Sequence, residues 1–134
     1  MVYRLVNSTF NVQELILRLT RLLCQFIKAD ASMVILLDPK TKKVLLKGIF
    51  NNQINILLNK KKDLENITPE EKKVLEGYTI FEKHLIGLPL IADDNVGAIF
   101  VKRNSHEEPF VEFDKEILSV VTEQSVTAIR NLQL

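Results

Sequence analysis

The segment LIGLPLIADDNVGAIFVKR (residues 85–103) restricts the possible fold more than any other part of the sequence. Two apolar runs flank the polar Asp93-Asp94-Asn95, which predicts two β-strands joined by a tight turn. Pro89 lies inside the first run, although proline lacks the N–H donor that a central strand requires. The segment therefore predicts an antiparallel hairpin whose first strand lies at a sheet edge or bends at Pro89.

A second hairpin is predicted earlier in the chain. The apolar runs SMVILLD (residues 32–38) and KVLLKGIF (residues 43–50) are typical of strands, and the polar PKTK between them predicts a turn. Residues 51–66 show no clear periodicity. The three lysines at 60–62 predict a solvated loop or the end of a helix.

Helices are predicted at both ends of the chain and between the two hairpins. Asn11 to Glu14 has the form of a capping box and predicts the start of a first helix. Thr68 and Pro69 predict the start of a short second helix, which Gly77 ends. A third runs from about residue 111 to residue 134. The resulting order, α-β-β-α-β-β-α, predicts an α+β fold with a central antiparallel sheet flanked by the terminal helices.

Size and composition limit the classes of function. The 134 residues predict a single domain, and the net charge of +1 gives no reason to expect binding to nucleic acid or to a membrane surface. The single Cys24 excludes an internal disulfide and is typical of a reducing compartment, so we expect a cytoplasmic protein. The last residues, AIRNLQL, keep a helical pattern, and we expect residues 1–134 to be one domain cut from a longer signalling protein.

Three segments in order resemble the GAF domain family. They are FIKADASMVILLD, in which an Ala-Asp pair leads into the first strand, GLPLIADDNVGAIFVKR, and FVEFDKEILSVVTEQSVTAIRNLQL. The second is similar to the family's apolar-Pro-Leu strand, turn and small-Gly-apolar strand. The third is similar to its C-terminal helix. Together the three segments extend over most of the chain.

The resemblance implies a fold and a class of function. In GAF domains the terminal helices pack together on one face of the sheet and a small-molecule pocket opens on the other. The family implies a sensory, non-enzymatic domain that controls a covalently linked output domain. The N-terminal regulatory domains of NifA-like, sigma-54-type transcription activators are one such context, and sensor kinases or cyclases are another. The alternative is a module for dimerisation or protein interaction that binds no small ligand, which the short region before Leu85 favours.

Two sets of candidate residues follow from the resemblance and from helical spacing. The ligand-pocket candidates are Phe50, Tyr78, Phe81 and His84. The candidates for a homodimer interface are Leu15, Leu22, Leu118, Val121, Ser125, Ala128 and Leu132. The partner or ligand itself, whether a small molecule or a regulatory protein, is not identified by any motif.

No residue set predicts catalysis, a metal site or a particular cofactor. His84 and His106 lack further ligands at metal-binding spacing. Asp93 and Asp94 are predicted to form an exposed turn, and Cys24 is predicted to be a small buried side chain, with a redox-sensing thiol as the alternative. The lysines of the second hairpin, Lys40, Lys42, Lys43 and Lys47, are predicted to form a solvated face.

Overall fold

The computed structural model describes the backbone of residues 2–133 and the side-chain surroundings of residues 12–132. Four helices and six strands lie within this range. In chain order they are α1 (Val2–Ile27), β1 (Ala31–Leu37), β2 (Val44–Asn51), β3 (Ile54–Leu58), α2 (Lys61–Leu64), α3 (Pro69–Leu75), β4 (Ile80–Phe81), β5 (Leu85–Ile91), β6 (Asn95–Lys102) and α4 (Glu112–Gln133).

The six strands form one sheet in the order β3-β2-β1-β6-β5-β4, and every neighbouring pair is antiparallel. Both predicted hairpins, β1-β2 and β5-β6, are present, and β1 and β6 join them at the centre of the sheet. The predicted α+β class is confirmed. Two further strands, β3 and β4, extend the sheet at its edges.

Pro89 lies at a position where the sheet does not require the backbone N–H donor that proline lacks. It pairs with Ala98 of β6 on one side, while β4 on the other side reaches only Gly87 and Ile86. The pairing register of β5 also shifts just after Pro89, between Leu90 and Ile91. β5 is not the edge strand of the sheet, but no strand pairs with the outer side of Pro89, so the edge position is confirmed for this residue alone.

The predicted start of the middle helix is confirmed in atomic detail. The Thr68 side chain accepts a hydrogen bond from the backbone N–H of Glu71 at 3.1 Å, with Pro69 at the first helical position. Gly77 has a φ of +107° and ends the helix, donating to the Val74 carbonyl at 2.9 Å. This backbone conformation strains any residue with a Cβ, which explains the glycine.

One predicted boundary was wrong. Helix α1 begins at Val2 and not at Asn11, because residues 2–10 contain neither glycine nor proline to prevent helical continuation through the capping motif. Residues 51–58, for which no element was predicted, turn and return as β3. Asn52 and Gln53 both adopt positive φ, 49° and 68°, as a two-residue hairpin turn requires.

The sheet buries a core on each of its faces. Alternate residues of β1, such as Val34 and Leu36, pack beneath α1 and α4, whereas Ile35 faces α3 on the opposite side. Helix α1 lies close to β2 at Gly48, where an added Cβ would be 2.5 Å from Cγ2 of Ile16. The terminal helices therefore share one face, and the other face is covered by the short α2–α3 region.

Candidate functional site

A cleft of about 900 Å³ opens on the sheet face opposite the terminal helices. It is formed by the end of β1 and the start of β2, by the α2–α3 region, and by the turn before β6. We call it the first cleft. Its lining residues are Leu37, Lys42, Lys43, Val44, Leu45, Asn59, Lys61, Leu64, Glu65, Ile67, Lys72, Leu75, Glu76, Asp94 and Asn95.

The first cleft combines an apolar interior with a charged rim. Its apolar side chains come from both hairpin strands and both short helices. At the rim, Lys42 forms an ion pair with Asp94, which joins the β1-β2 turn to the β5-β6 turn. Asn95 donates a hydrogen bond to the Leu75 carbonyl at 2.6 Å, which ties β6 to the end of α3. Clefts of this size and chemistry are typical of small-molecule sites in proteins.

A second cleft of about 450 Å³ lies farther along the same face of the sheet. Met33, Ile49 and Phe100 contribute its apolar surface, and Thr68 and Glu71 contribute polar atoms from the start of α3. The same short helix therefore borders both clefts. Any movement of α3 relative to the sheet changes the shape of both.

Structural comparison identifies the fold. The second GAF domain of DevS from Mycobacterium smegmatis superimposes with a TM-score of 0.64 at 12% identity, covering 91% of this chain and 95% of that one. The GAF domain/HD domain protein from Geobacter sulfurreducens gives 0.60 at 18% identity, covering 96% and 97%. This chain has the GAF fold. The GAF domain from Acinetobacter phosphoenolpyruvate-protein phosphotransferase agrees, with a TM-score of 0.65 at 13% identity and coverage of 98% and 91%.

Sequence comparison gives no further identification of the chain. No protein-family model matches the chain, and no curated protein matches it. The GAF fold was predicted from three sequence motifs in order, and the structural comparison confirms that prediction. The sequence identities are too low for function to be transferred from the compared proteins.

The four predicted pocket residues do not line the first cleft of this GAF fold. Phe50 lies on the other sheet face, where it borders a small cavity with Cys24 of α1. Tyr78 is exposed, and Phe81 lies on the edge strand β4, at the far end of the sheet. His84 places Nε2 3.0 Å from the Glu107 carbonyl. The first cleft, and not the surroundings of these four residues, is therefore the candidate ligand site.

The predicted dimer residues differ in burial and fall into three groups. Leu118 and Ser125 are buried inside the single chain, so Leu118 belongs to the core and cannot present a surface to a second copy. Its spacing along α4 suggested a seam because core positions and dimer positions share the same helical period. Leu22 is 42% exposed. The remaining candidates, Leu15, Val121, Ala128 and Leu132, are half-buried.

One predicted solvated lysine is buried. Lys47 points from β2 to the α3 side, where its Nζ lies 2.9 Å from Oε1 of Glu71 and donates to the Asn66 carbonyl at 3.3 Å. The prediction of a solvated face holds for Lys40, Lys42 and Lys43, which are exposed, and is wrong for Lys47. The one sequence signal for the burial of Lys47 is its place between Leu45 and Ile49, on a strand face that is otherwise apolar.

Cys24 is buried in α1, in agreement with the prediction of a small core side chain. Desolvation raises the pKa of its thiol, although a hydrogen bond with Ser32 acts in the opposite direction. A thiol held protonated is a poor nucleophile. Within the part of the chain whose side chains are described, no cluster of three or more His, Cys, Asp or Glu side chains is placed to hold a metal ion. No helix within residues 2–133 has the length and apolar content that crossing a bilayer requires.

The β1-β2 turn at the edge of the first cleft depends on Asp38. Backbone N–H groups of Thr41 and Lys40 donate to its carboxylate at 3.0 and 2.8 Å and hold the pKa of Asp38 below its ordinary value. Because the folded pKa lies below the unfolded one, this carboxylate stabilises the fold above the unfolded pKa, and the contribution is lost as pH falls through the folded pKa. We expect an NMR titration of the Asp38 carboxyl carbon to give a pKa below that of aspartate in an unstructured peptide. An equal or higher value would contradict the hydrogen-bonded turn.

Proposed function

We propose that this chain is a regulatory GAF domain that binds a small molecule in the first cleft and thereby controls an attached output domain. The cleft itself supports the proposal most directly: about 900 Å³, apolar inside and charged at the rim. Its volume lies in the range of clefts that enclose small organic ligands. The ligand would contact both hairpins and α3 at once.

The arrangement of the sheet supplies a route from the cleft to the terminal helices. Leu37 of β1 lines the cleft, and the preceding residue, Leu36, packs in the core beneath α1 and α4. A ligand that shifts the end of β1 therefore changes the surface on which the terminal helices rest. We propose a two-state change in the packing of these helices as the output of the domain.

The attached output domain is proposed from the printed descriptions of similar structures. One is a GAF domain/HD domain protein, and another is the GAF domain of a phosphoenolpyruvate-protein phosphotransferase, so this fold occurs beside other domains. For this chain we propose an output domain of the sigma-54-type transcription activator, sensor kinase or cyclase class. Expression of the full-length gene product with and without residues 1–134 would test control of that domain.

The ligand part of the proposal is tested by native mass spectrometry of freshly purified protein. We expect extra mass of a few hundred daltons that is released on denaturation. Leu45→Trp, which places an indole in the cleft from a strand position, should lose that mass. The matched control is Ile91→Trp, since Ile91 is also an exposed apolar strand residue but lies outside the cleft. Equal retention by both variants would place the bound molecule elsewhere.

We also propose that the domain dimerises through the outer surfaces of α1 and α4. This proposal rests on Leu22, which is exposed, together with the half-buried Leu15, Val121, Ala128 and Leu132. Leu15 and Leu132 border one small cavity between the two helices together with Glu14 and Arg18, so apolar side chains of both helices meet there beside charged ones. Partly exposed apolar side chains on two packed helices are typical of a helical interface between subunits.

Sedimentation of charged variants tests the interface. Leu22→Glu and Leu132→Lys should each weaken the dimer by about 2 kcal/mol, or roughly 30-fold in the dissociation constant. Tyr78→Glu changes an exposed residue just after α3, which packs on the opposite face of the sheet, and should leave the dimer intact. If both helix variants remain dimeric at the same concentration, the interface lies on another surface.

The second candidate is a dimerisation or protein-interaction module that binds no small ligand. The exposed apolar side chains of α1 and α4, Leu22, Phe26, Phe113 and Val120, favour it. The native mass spectrum separates the two candidates. A dimer with no retained mass, unchanged by Leu45→Trp, is the result expected for the interaction module.

A further inference from the structure

A buried ion pair lies between the two clefts on the α3 side, beside the apolar contacts of α3 with the sheet. Leu45, Lys47 and Ile49 alternate along β2 and share one face of the sheet. Leu45 lines the first cleft and Ile49 lines the second; Lys47, between them along the strand, pairs with Glu71, which lines the second cleft. Its ammonium group is enclosed by Glu71 and the Asn66 carbonyl, at 2.9 and 3.3 Å.

The pair is well shielded from solvent. The side chains of Lys47 and Glu71 are only 6% and 11% exposed. Removing two charges from water costs free energy that their mutual attraction does not reliably recover, and apolar residues of the same size often stabilise a fold equally well. Stability alone therefore gives little reason for a lysine at the centre of an apolar sheet face.

The Glu71 carboxylate shows what the space beside Lys47 accepts. One carboxylate, carried on a flexible side chain, lies at hydrogen-bond distance from the ammonium group. A ligand carboxylate in the same place would keep Lys47 paired while Glu71 turns outward to solvent. The charge balance is unchanged inside the protein, because one buried anion replaces another.

We propose that Lys47 anchors the carboxylate of an amphipathic organic acid whose apolar body lies in the first cleft, and that Glu71 occupies this anchor as an internal competitor when the ligand is absent. This inference rests on the proposed function and specifies the chemistry of the ligand. Release of Glu71 also frees the start of α3, which borders both clefts, so that binding joins them into one site. The same contact that recognises the ligand thus changes the position of α3.

Octanoate and its neutral counterpart octan-1-ol are suitable probes, with isothermal titration calorimetry as the measurement. Glu71→Gln removes the competing carboxylate while keeping a side chain of the same size. We expect this variant to bind octanoate about tenfold more tightly than the wild type does, with no comparable gain for octan-1-ol. A merely structural role for Glu71 predicts unchanged or weaker binding of both probes.

Lysine substitutions provide the matched comparison. Lys47→Met should bind octanoate no better than octan-1-ol, because the anchor for the carboxylate is gone. Lys40→Met removes an exposed lysine that does not line the first cleft and should keep the wild-type preference for octanoate. If Lys47→Met also keeps that preference, the anion binds elsewhere and the inference is wrong.

A further measurement uses the wild-type protein, so it does not depend on whether a variant folds. Octanoate, but not octan-1-ol, should shift the NMR resonances of the Lys47 ε-methylene group and accelerate hydrogen exchange at the Glu71 amide, which now donates to Thr68. Equal binding of both probes in the first cleft, with Lys47 unaffected, would overturn this inference and leave the proposed function standing. Binding of neither probe would also overturn it, whereas the proposed function is decided separately by the retained mass.

Discussion

Replacing Leu118 by lysine should leave most of the chain unfolded at room temperature. Leu118 is 0% exposed and belongs to the core between α1, α4 and the sheet. The substitution removes a full apolar contact set and places a charge among apolar side chains. We expect a loss of about 4 kcal/mol or more in the free energy of unfolding, comparable with the total stability of many domains.

Urea unfolding of a matched pair measures this effect. Val120 lies two residues farther along α4 and is 56% exposed, so Val120→Lys should change the free energy of unfolding by at most about 0.5 kcal/mol. Both substitutions replace an aliphatic residue of α4 by lysine. They differ in whether that residue faces the core or the solvent. Similar stabilities for the two variants would mean that α4 is rotated on the sheet relative to the structure described here.

Replacing Arg103 by methionine should cost about 3 kcal/mol or more, the second large effect. Arg103 follows β6 and joins the two terminal helices. Its guanidinium donates to the carbonyls of Ile27 and of Lys28, the latter at 3.1 Å, and lies 3.8 Å from Asp114 in the first turn of α4. Helix α1 ends there, so these carbonyls have no partner within the helix.

The same side chain holds the loop before α4. It donates to the Glu108 and Pro109 carbonyls at 3.2 and 3.4 Å and lies 4.3 Å from the centre of the Phe110 ring. A methionine keeps the apolar length but leaves these carbonyls unpaired. Lysine keeps the charge without the planar fork, so Arg103→Lys should recover only part of the loss.

Arg130→Met is the control for Arg103. Arg130 is an arginine of α4 whose guanidinium lies 3.5 Å from Asp93 at an exposed position. Exposed ion pairs contribute less than about 1 kcal/mol, so this variant should unfold at nearly the wild-type urea concentration. Equal destabilisation by Arg103→Met and Arg130→Met would show that the network around Arg103 does not join the terminal helices.

The predictable parts of the fold were those with a local cause. Thr68 and Pro69 start α3 through contacts within one turn. Pro89 indicates a position without an outer neighbouring strand because proline lacks a backbone N–H donor. The hairpin leading to β3 was missed because its turn residues, Asn52 and Gln53, both adopt positive φ without a glycine. A two-residue turn of this kind is normally recognised by Asn-Gly or Asp-Gly.

The candidate site could not be predicted because its parts meet only in three dimensions. Lys47 and Glu71 are separated by 24 residues, and neither carries a motif that names the other. The first cleft brings together the two turns after β1 and β5 and the short helices between β3 and β4. Leu118 shows the converse difficulty, since helical spacing placed it on an apolar stripe of α4 but could not distinguish the core from a subunit interface.

The central claim is that the first cleft is the ligand site, and methyl-labelled NMR spectra of the protein before and after removal of retained ligand by unfolding and refolding test it most directly. We expect the differences to be concentrated at cleft methyl groups, with Leu45, Leu64 and Leu75 shifted most, and to be small at the exposed methyl group of Ile54 on β3, which lies outside the cleft. Differences confined to α1 and α4, or identical spectra, would contradict the account.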